Sequence, residues 1–499
     1  MKKILSIIFC LILCFSIIPS IQSISISNKN EFWQMFRHDC FHTGYTNSNA
    51  PDTNNTLWNF TTGDIVSSSP AVSNGRLYVG SSDNNLYCLN ASNGKIIWNY
   101  TTEDTILSSP AVFDDKIFFG SYDDKLYCLN ETNGDFLWSY KTGNPIRSSP
   151  CVFSKKVYVG SYDKKMYCIN ITNGSLIWSY KTEGFICSSP ATAYGKIYFG
   201  SNDGKIYCLN AETGNHIWNY TTEDYAYSSP SISDGKVYIG SYDSYLYCLK
   251  ANTGELEWKY KTSIGILSSP AIAYGNVYFG SVNDKIYCID KETGKFIWDY
   301  ETQGGILSSP AVADGKLFVG SHDCNIYCIN ATKGNLFWLY KTGGYVRSSP
   351  AIANNRLYVG SYDNNVYCFG GGPENREPNQ PIIIGPKNGK TKTNYDFKFT
   401  SVDPDGNKIK YIISWGDKTI IETDYNLSGE EVLVSHNWES EGSFLIKARA
   451  KDIYGAESNI ETFKITIPKI KTIKNLFFHR IINDFLEILP LLRYIYSFF

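Results

Sequence analysis

A chain of 499 residues is too long for one ordinary hydrophobic core, so two or more domains are expected. Its 46 basic and 48 acidic residues leave a formal net charge of −2, which supplies no concentrated basic face and argues against a nucleic-acid partner. Aromatic residues reach 15% because Tyr and Trp are built into a repeat.

At the N terminus, Met1-Lys-Lys3, the apolar run Ile4–Ile18 and the small-residue stretch Pro19–Ser23 read as a secretory signal peptide over residues 1–23. The apolar run is too short for a comfortable membrane span. Residues 24–56 form a leader segment. Within it His38, Asp39 and His42 invite a metal, but His-x-x-x-His needs a helix to bring both imidazoles to one face. Gly44 and the Asn/Thr/Pro-rich stretch 46–56 argue against that helix. Packing against the repeat that follows is the expected role.

From Leu57 to Gly370 the chain repeats every 40 residues without insertion or deletion. Prolines step from Pro70 to Pro350, glycines from Gly80 to Gly360 and cysteines from Cys88 to Cys368. In the first copy, Ser69–Val72 is a short apolar strand and Ser73-Asn-Gly75 a hairpin turn. Arg76–Gly80 alternates, Ser82-Asp-Asn84 turns, and Leu86–Leu89 is a third strand. Asn93-Gly94 predicts a tight hairpin, and Lys95–Tyr100 is a fourth strand carrying Trp98. No segment has the 3.6-residue period of an amphipathic helix. Four short strands in about 40 residues are the signature of a propeller blade. The Ser-Ser-Pro strand occurs eight times, and so does the repeat tryptophan. The last Ser-Ser-Pro copy has no Trp strand after it, and Trp58 has no strands before it. An eight-bladed ring in which Leu57–Thr61 supplies the missing outer strand resolves both anomalies and leaves no open edge.

The segment Ala91-Ser-Asn-Gly-Lys-Ile-Ile-Trp98 resembles the tryptophan-docking repeat of the pyrroloquinoline-quinone (PQQ)-like propeller superfamily, over Leu57–Gly370. The leader Trp33–Gly44 is similar to a segment that precedes other secreted PQQ-like propellers. The superfamily includes quinoprotein alcohol dehydrogenases and a bacterial outer-membrane assembly lipoprotein with no enzymatic activity, so the resemblance implies a fold without choosing between enzyme and scaffold. The dehydrogenases of the family carry adjacent cysteines, a calcium held by acidic and amide side chains, and an aspartate base. This sequence has no Cys-Cys, and nothing interrupts the repeat spacing. No catalytic residue, no PQQ and no calcium are therefore expected.

An asymmetric site on a repeating ring must come from positions that break the repeat. Three residues before each proline stand Ser67, Leu107, Arg147, Cys187, Tyr227, Leu267, Leu307 and Arg347. Two after each glycine stand Ser82, Tyr122, Tyr162, Asn202, Tyr242, Val282, His322 and Tyr362. Both sets belong to loops that open on one face. Tyr122, Arg147, Tyr162, Tyr227, Tyr242, His322, Arg347 and Tyr362 are the candidate partner-binding residues, with Asp64, Glu103, Asp104, Glu183, Glu223 and Asp224 nearby. Tyrosines with a few charges suit the apolar anchors of a protein partner or the faces of sugar rings. The repeated Ser-x-Asp, Ser81 and Asp83 in the first copy, reads as a side-chain-bonded turn.

Of 14 cysteines, Cys10 and Cys14 leave with the signal peptide. The eight periodic ones occupy one strand position in successive sheets, which stack about 10 Å apart, too far for disulfides. Buried free thiols are expected there. Cys40, Cys151, Cys187 and Cys324 break the period, and a pair among them is possible. Ten Asn-x-Ser/Thr sequons, such as Asn90 and Asn170, lie mostly in turns, where Asn is an ordinary turn residue.

Residues 371–381 are a Gly/Pro-rich linker. Beyond it, alternation in Phe397–Thr400, Ile409–Trp415, Val432–Ser435 and Phe444–Ala450 predicts an immunoglobulin-like β-sandwich over residues 382–468. Asp403-Pro-Asp-Gly406, Trp415-Gly-Asp417, His436-Asn-Trp438 and Asp452-Ile-Tyr-Gly455 resemble the polycystic-kidney-disease (PKD) family of extracellular modules. Asp403, Asp405 and Asp417 are weak calcium candidates, since such carboxylates more often serve turns. Residues 469–499 form an amphipathic tail, suited to a membrane surface or a partner. The expectation is an all-β, exported, cell-surface-associated protein. It has an eight-bladed β-propeller over residues 57–370, closed by an N-terminal outer strand, and a C-terminal sandwich. It recognises a protein partner or, alternatively, a surface glycan.

Overall fold

Each repeat folds as an antiparallel meander of four strands. In the computed structural model, which describes residues 32–370, 376–453 and 455–468, the first meander runs β2 (Ala71–Ser73), β3 (Arg76–Gly80), β4 (Asn85–Asn90) and β5 (Ile96–Thr101), hydrogen-bonded in that order. The signal-peptide segment, the tail and residues 371–375 of the linker lie outside the described residues.

The two hairpins use different turn chemistry. Between β2 and β3, Asn74 (φ 50°) and Gly75 (φ 72°) are both left-handed, the backbone that matches the twist of paired strands. Between β4 and β5 the expected two-residue Asn93-Gly94 turn is absent. The turn starts at Asn90, whose Oδ1 accepts the Ser92 N–H at 2.9 Å, and the Gly94 N–H reaches Asn90 O at 2.9 Å. Here only Gly94 is left-handed (φ 70°), and the register slips after Cys88. The asparagine side chain wins because it satisfies local N–H groups that a tight turn would leave unpaired. The inner strand also begins later than its apolar pattern suggested, at Ala71, because Ser68 and Ser69 bond to the neighbouring sheet instead.

Those serines join the sheets. The Ser69 N–H donates to Ser109 Oγ, and the same bond runs from each sheet to the next until the Ser349 N–H returns to Ser69 Oγ at 2.9 Å. Eight four-stranded sheets thus form a closed circuit, a β-propeller architecture. The last sheet is completed from the other end of the repeat: β1 (Thr56–Thr61) pairs antiparallel with Asn365–Gly370, setting Trp58 opposite Cys368 and Phe60 opposite Val366.

The tryptophans dock between sheets. The Trp58 indole N–H donates to Ala91 O at 3.2 Å, and Trp178 does the same to Ala211 O at 3.1 Å. A Cβ on Gly94 would stand 2.6 Å from the Trp58 ring, so the turn glycine is needed for contact as well as for φ. The periodic cysteines face these tryptophans across the β4–β5 ladder. All eight are free and fully buried, and burial pushes the Cys88 and Cys208 thiols up to about 12.

The chain divides into two compact units between Gly372 and Pro373. In the second, a sheet of Ile382–Ile384, Tyr395–Thr400 and Val432–His436 and a sheet of Ile420–Glu422, Ile409–Ser414, Gly442–Asp452 and Glu461–Ile467 share one core. Phe397, Phe399, Tyr411, Trp415, Trp438 and Ile446 fill it. Among the described residues no helix is long and apolar enough to cross a membrane.

Candidate functional site

Meander topology puts the β3–β4 turn and the loop that follows β5 at the same end of each sheet, and the Tyr122 N–H to Thr105 O bond of 2.9 Å ties the two loops together. The turn is built by its aspartate. Asp83 Oδ1 accepts the Asn85 N–H at 3.0 Å, while Oδ2 accepts the Tyr87 hydroxyl at 2.7 Å and the Gly63 N–H at 2.6 Å. Ser81 Oγ accepts the Asp83 N–H at 3.2 Å. With its lone pairs so engaged, Asp83 holds the loop and has little left for a cation. Asn283 replaces the aspartate once and instead donates to Tyr287 and Ser263.

Supported by these turns, the repeat-breaking side chains meet in two clusters. In the first, the Arg147 guanidinium lies 5.3 Å over the Tyr227 ring, which meets Tyr242 edge-on at 5.7 Å. The Tyr122 and Tyr162 hydroxyls are 3.4 Å apart. In the second, Arg347 Nε donates to His322 Nε2 at 2.9 Å and lies 5.1 Å over Tyr362. Burial and the adjacent Arg347 charge lower the pKa of His322, so it is neutral, with its proton on Nδ1. Burial pushes Tyr227 up to about 12, leaving a neutral hydroxyl. A cavity of about 410 Å³ joins the clusters, lined by Tyr242 and His322 and walled by Ile264, Leu267, Val282 and Leu307.

Neither Arg147 nor Arg347 has a carboxylate partner among the described residues. Three of the nearby acids are engaged elsewhere: Asp64 and Asp224 each accept the N–H of the following residue at 2.7 Å, and Glu103 pairs with Lys125 at 2.8 Å. Phe185, Tyr225 and Tyr345 also belong to the clusters, stacked on Tyr162, edge-on to Tyr242 and stacked on His322 respectively. They fall in a third variable column, five residues before each proline, which the two-column reading passed over.

The leader lies along the free edges of the inner strands. The N–H groups of Val72, Val112, Thr192, Ile232, Ile272 and Val312 donate to the carbonyls of Trp33, Gln34, Cys40, Phe41, Thr43 and Gly44. This pairing protects six inner edges. Arg37 is 1% exposed, donates to Pro310 O and to Pro270 O at 2.8 Å, and is lowered to about 9 by burial. His42 donates from Nδ1 to Pro230 O at 3.1 Å, and burial holds it near 4. Asp39 instead accepts the Thr43 hydroxyl at 2.7 Å and faces His38 at 3.3 Å. His38 and Asp39 therefore pair with each other, while His42 bonds to the Pro230 carbonyl, so the two imidazoles do not converge on one site.

In the second unit, Asp403 Oδ1 accepts the Asp405 N–H at 2.9 Å, Asp405 pairs with Arg376 at 2.8 Å, and Asp417 meets His436 at 2.8 Å. Among the described residues no three His, Cys, Asp or Glu side chains gather to hold a metal. The two mouth columns contain no carboxylate. These sixteen positions therefore offer no acidic ligand of the kind that holds calcium.

Eight linked four-stranded sheets with tryptophans docked on turn glycines define a β-propeller of PQQ-like repeats. The chain belongs to the family described as outer membrane protein assembly factor BamB, whose model matches residues 46–150, 143–229, 226–309 and 282–371. Among solved structures it is similar to BamB from Moraxella catarrhalis, with 20% identity and a TM-score of 0.56 over 64% of this chain and 99% of that one. It also resembles the computationally designed Ika8 protein, with 15% identity and a TM-score of 0.58 over 63% and 99%. A third is the quinohemoprotein alcohol dehydrogenase from Comamonas testosteroni, with 15% identity and a TM-score of 0.61 over 70% and 82%. At these identities the likeness is one of fold. No curated protein sequence matches the chain.

Proposed function

We propose that this protein is an exported binding or scaffold protein without enzymatic activity, whose eight-bladed propeller recognises a protein partner through the tyrosine–arginine face. One observation carries the reading: two half-buried arginines without a carboxylate partner among the described residues stand behind the lining of a cavity of about 410 Å³, Arg347 on its His322 and Arg147 on Tyr227, which meets its Tyr242. A partner's carboxylate satisfies the guanidinium donors, and an apolar side chain fills the space beside Leu267 and Leu307. Tyrosine and arginine are also the residue types that dominate binding energy at interfaces. Residues 1–23 direct export. The unit beyond the linker is a PKD-like, immunoglobulin-like sandwich that serves as a spacer or adhesive module at the cell surface, and residues 469–499 touch a membrane surface or partner. Neither PQQ nor calcium takes part.

A carbohydrate reading has its own support, because Tyr225, Tyr345 and Phe185 are 49%, 48% and 47% exposed on the same face, and flat exposed rings suit sugar faces. The test is affinity capture from the native cell envelope on the mature protein and on an Arg147→Ala/Arg347→Ala variant, beside a glycan array. Protein binding is expected, weakened about tenfold or more in the variant. Unchanged capture by the variant overturns the proposed face. Glycan binding lost in Tyr162→Ala or Tyr362→Ala replaces the protein partner with a sugar. A dialysis-resistant quinone absorbance with dye-linked alcohol oxidation, after incubation with PQQ and calcium, makes the protein an enzyme instead.

A further inference from the structure

The inner strands depart from their repeat where the leader passes. The position after each proline reads Ala71, Ala111, Cys151, Ala191, Ser231, Ala271, Ala311 and Ala351. The next reads Val72, Val112, Val152, Thr192, Ile232, Ile272, Val312 and Ile352. Three residues break the two patterns, Cys151, Ser231 and Thr192, and all three bond to the leader. Ser231 Oγ donates to His42 O at 2.7 Å. The Thr192 N–H donates to Cys40 O at 2.8 Å. Cys151 Sγ lies 3.9 Å from Cys40 O and 3.6 Å from Thr192 Oγ1, which sets the Cys151 thiol against the Cys40 backbone. Two cysteines from segments 111 residues apart in sequence therefore stand in contact.

We propose that Cys40 and Cys151 are a disulfide-forming pair that staples the leader into the propeller after export. The other described cysteines lack this arrangement. The periodic eight each face a tryptophan in their own sheet, Cys187 stands beside Tyr162 on the binding face, and Cys324 lies beside His322 in the seventh repeat's counterpart of the β3–β4 turn. Cys40 is half-exposed and Cys151 fully buried, which sets the order of events. The Cys40 thiolate attacks the disulfide of an oxidant, a disulfide-bearing protein or oxidised glutathione. That S–S bond breaks, and a mixed disulfide forms as the first oxidant thiolate leaves. The Cys151 thiolate then attacks the Cys40 sulfur and expels the second. The two cysteines lose two electrons, the oxidant disulfide gains them, and the two thiol protons end on the oxidant's two thiols. The Thr192 hydroxyl, 3.6 Å from Cys151 Sγ, stabilises that sulfur as it takes charge. Burial first, and then the Asp39 carboxylate, raise the Cys40 thiol above its ordinary value, so closure is slow at neutral pH and faster in base.

The test uses the mature full-length protein incubated with oxidised glutathione, then denatured, alkylated and digested without reductant. The expected result is a peptide pair joining Cys40 to Cys151, with alkylation of ten of the twelve described cysteines, and a Tm that rises on oxidation and falls back with dithiothreitol. Cys151→Ala carries the residue that six of the other seven repeats use at that position, so it folds, and it shows neither the linked peptide nor the Tm shift. Full alkylation after oxidation overturns the proposal. So does a link between any other two cysteines, or glutathione left on Cys40 in the wild-type protein.

Discussion

Several residues in this protein hold a backbone that their side chains disfavour. In five repeats the last residue of the β2–β3 turn is glycine, as at Gly75 and Gly195, but in the third repeat Ser154 (φ 50°) and Lys155 (φ 60°) are both left-handed. A left-handed L-residue costs about 1 kcal/mol, and the exposed Lys155 side chain returns little. Lys155→Gly is expected to stabilise the propeller by about 1 kcal/mol, read as a higher urea midpoint at unchanged slope. His42 carries strain of a different kind. Its folded pKa is about 4 against an ordinary 6.5, because burial in the channel disfavours the charged ring. Above pH 6.5 both states are neutral. Between 6.5 and 4 the unfolded chain takes up a proton that the folded chain refuses, so stability falls as pH falls through that window, by roughly 3 kcal/mol at its foot. His42→Asn, which tolerates the left-handed φ of 57° and does not titrate, is expected to flatten that part of the urea-midpoint profile. An unchanged profile would place the pH dependence elsewhere.

At the scale of the element, the outermost strand of the last sheet decides whether the ring is closed. β1 comes from the start of the repeat and pairs with its end, and Trp58 docks on Gly94 and Ala91 of the first sheet. Trp58→Ala therefore removes one inter-sheet contact of the same kind as Trp178→Ala, and both are expected to cost about 2–4 kcal/mol in denaturant unfolding. A Trp58→Ala variant as stable as the wild type would mean an open ring. The leader is the complementary element. Its carbonyls cap six inner-edge N–H groups, which would otherwise line the channel as unpaired donors.

Across the whole molecule, eight sheets of near-identical sequence can make only an eightfold-symmetric surface, and specificity enters where the symmetry breaks. It breaks at the mouth, where Arg147 and Arg347 stand in a column otherwise filled by Ser, Leu, Cys and Tyr. It breaks again on the inner strands, where Cys151, Thr192 and Ser231 meet the leader. The variable columns were legible in the sequence because a strict 40-residue period turns every departure into a signal. Phe185, Tyr225 and Tyr345 stand in a column that varies just as visibly, five residues before each proline. The contact of Arg147 with Tyr227, two repeats away, was not legible: it depends on where two loops lean over the channel mouth.

The amino-acid sequence by itself determined the local and periodic features: the meander, the turn positions, the inter-sheet tryptophans and the strand that completes the last sheet. Each rests on residues within one repeat or on copies counted at one interval. Tertiary structure alone decided the path of the leader and brought Cys151 against Cys40. The leader's bonds run to backbone N–H groups, which every residue but proline carries and no sequence pattern marks, so only the assembled ring shows where residues 33 to 44 go.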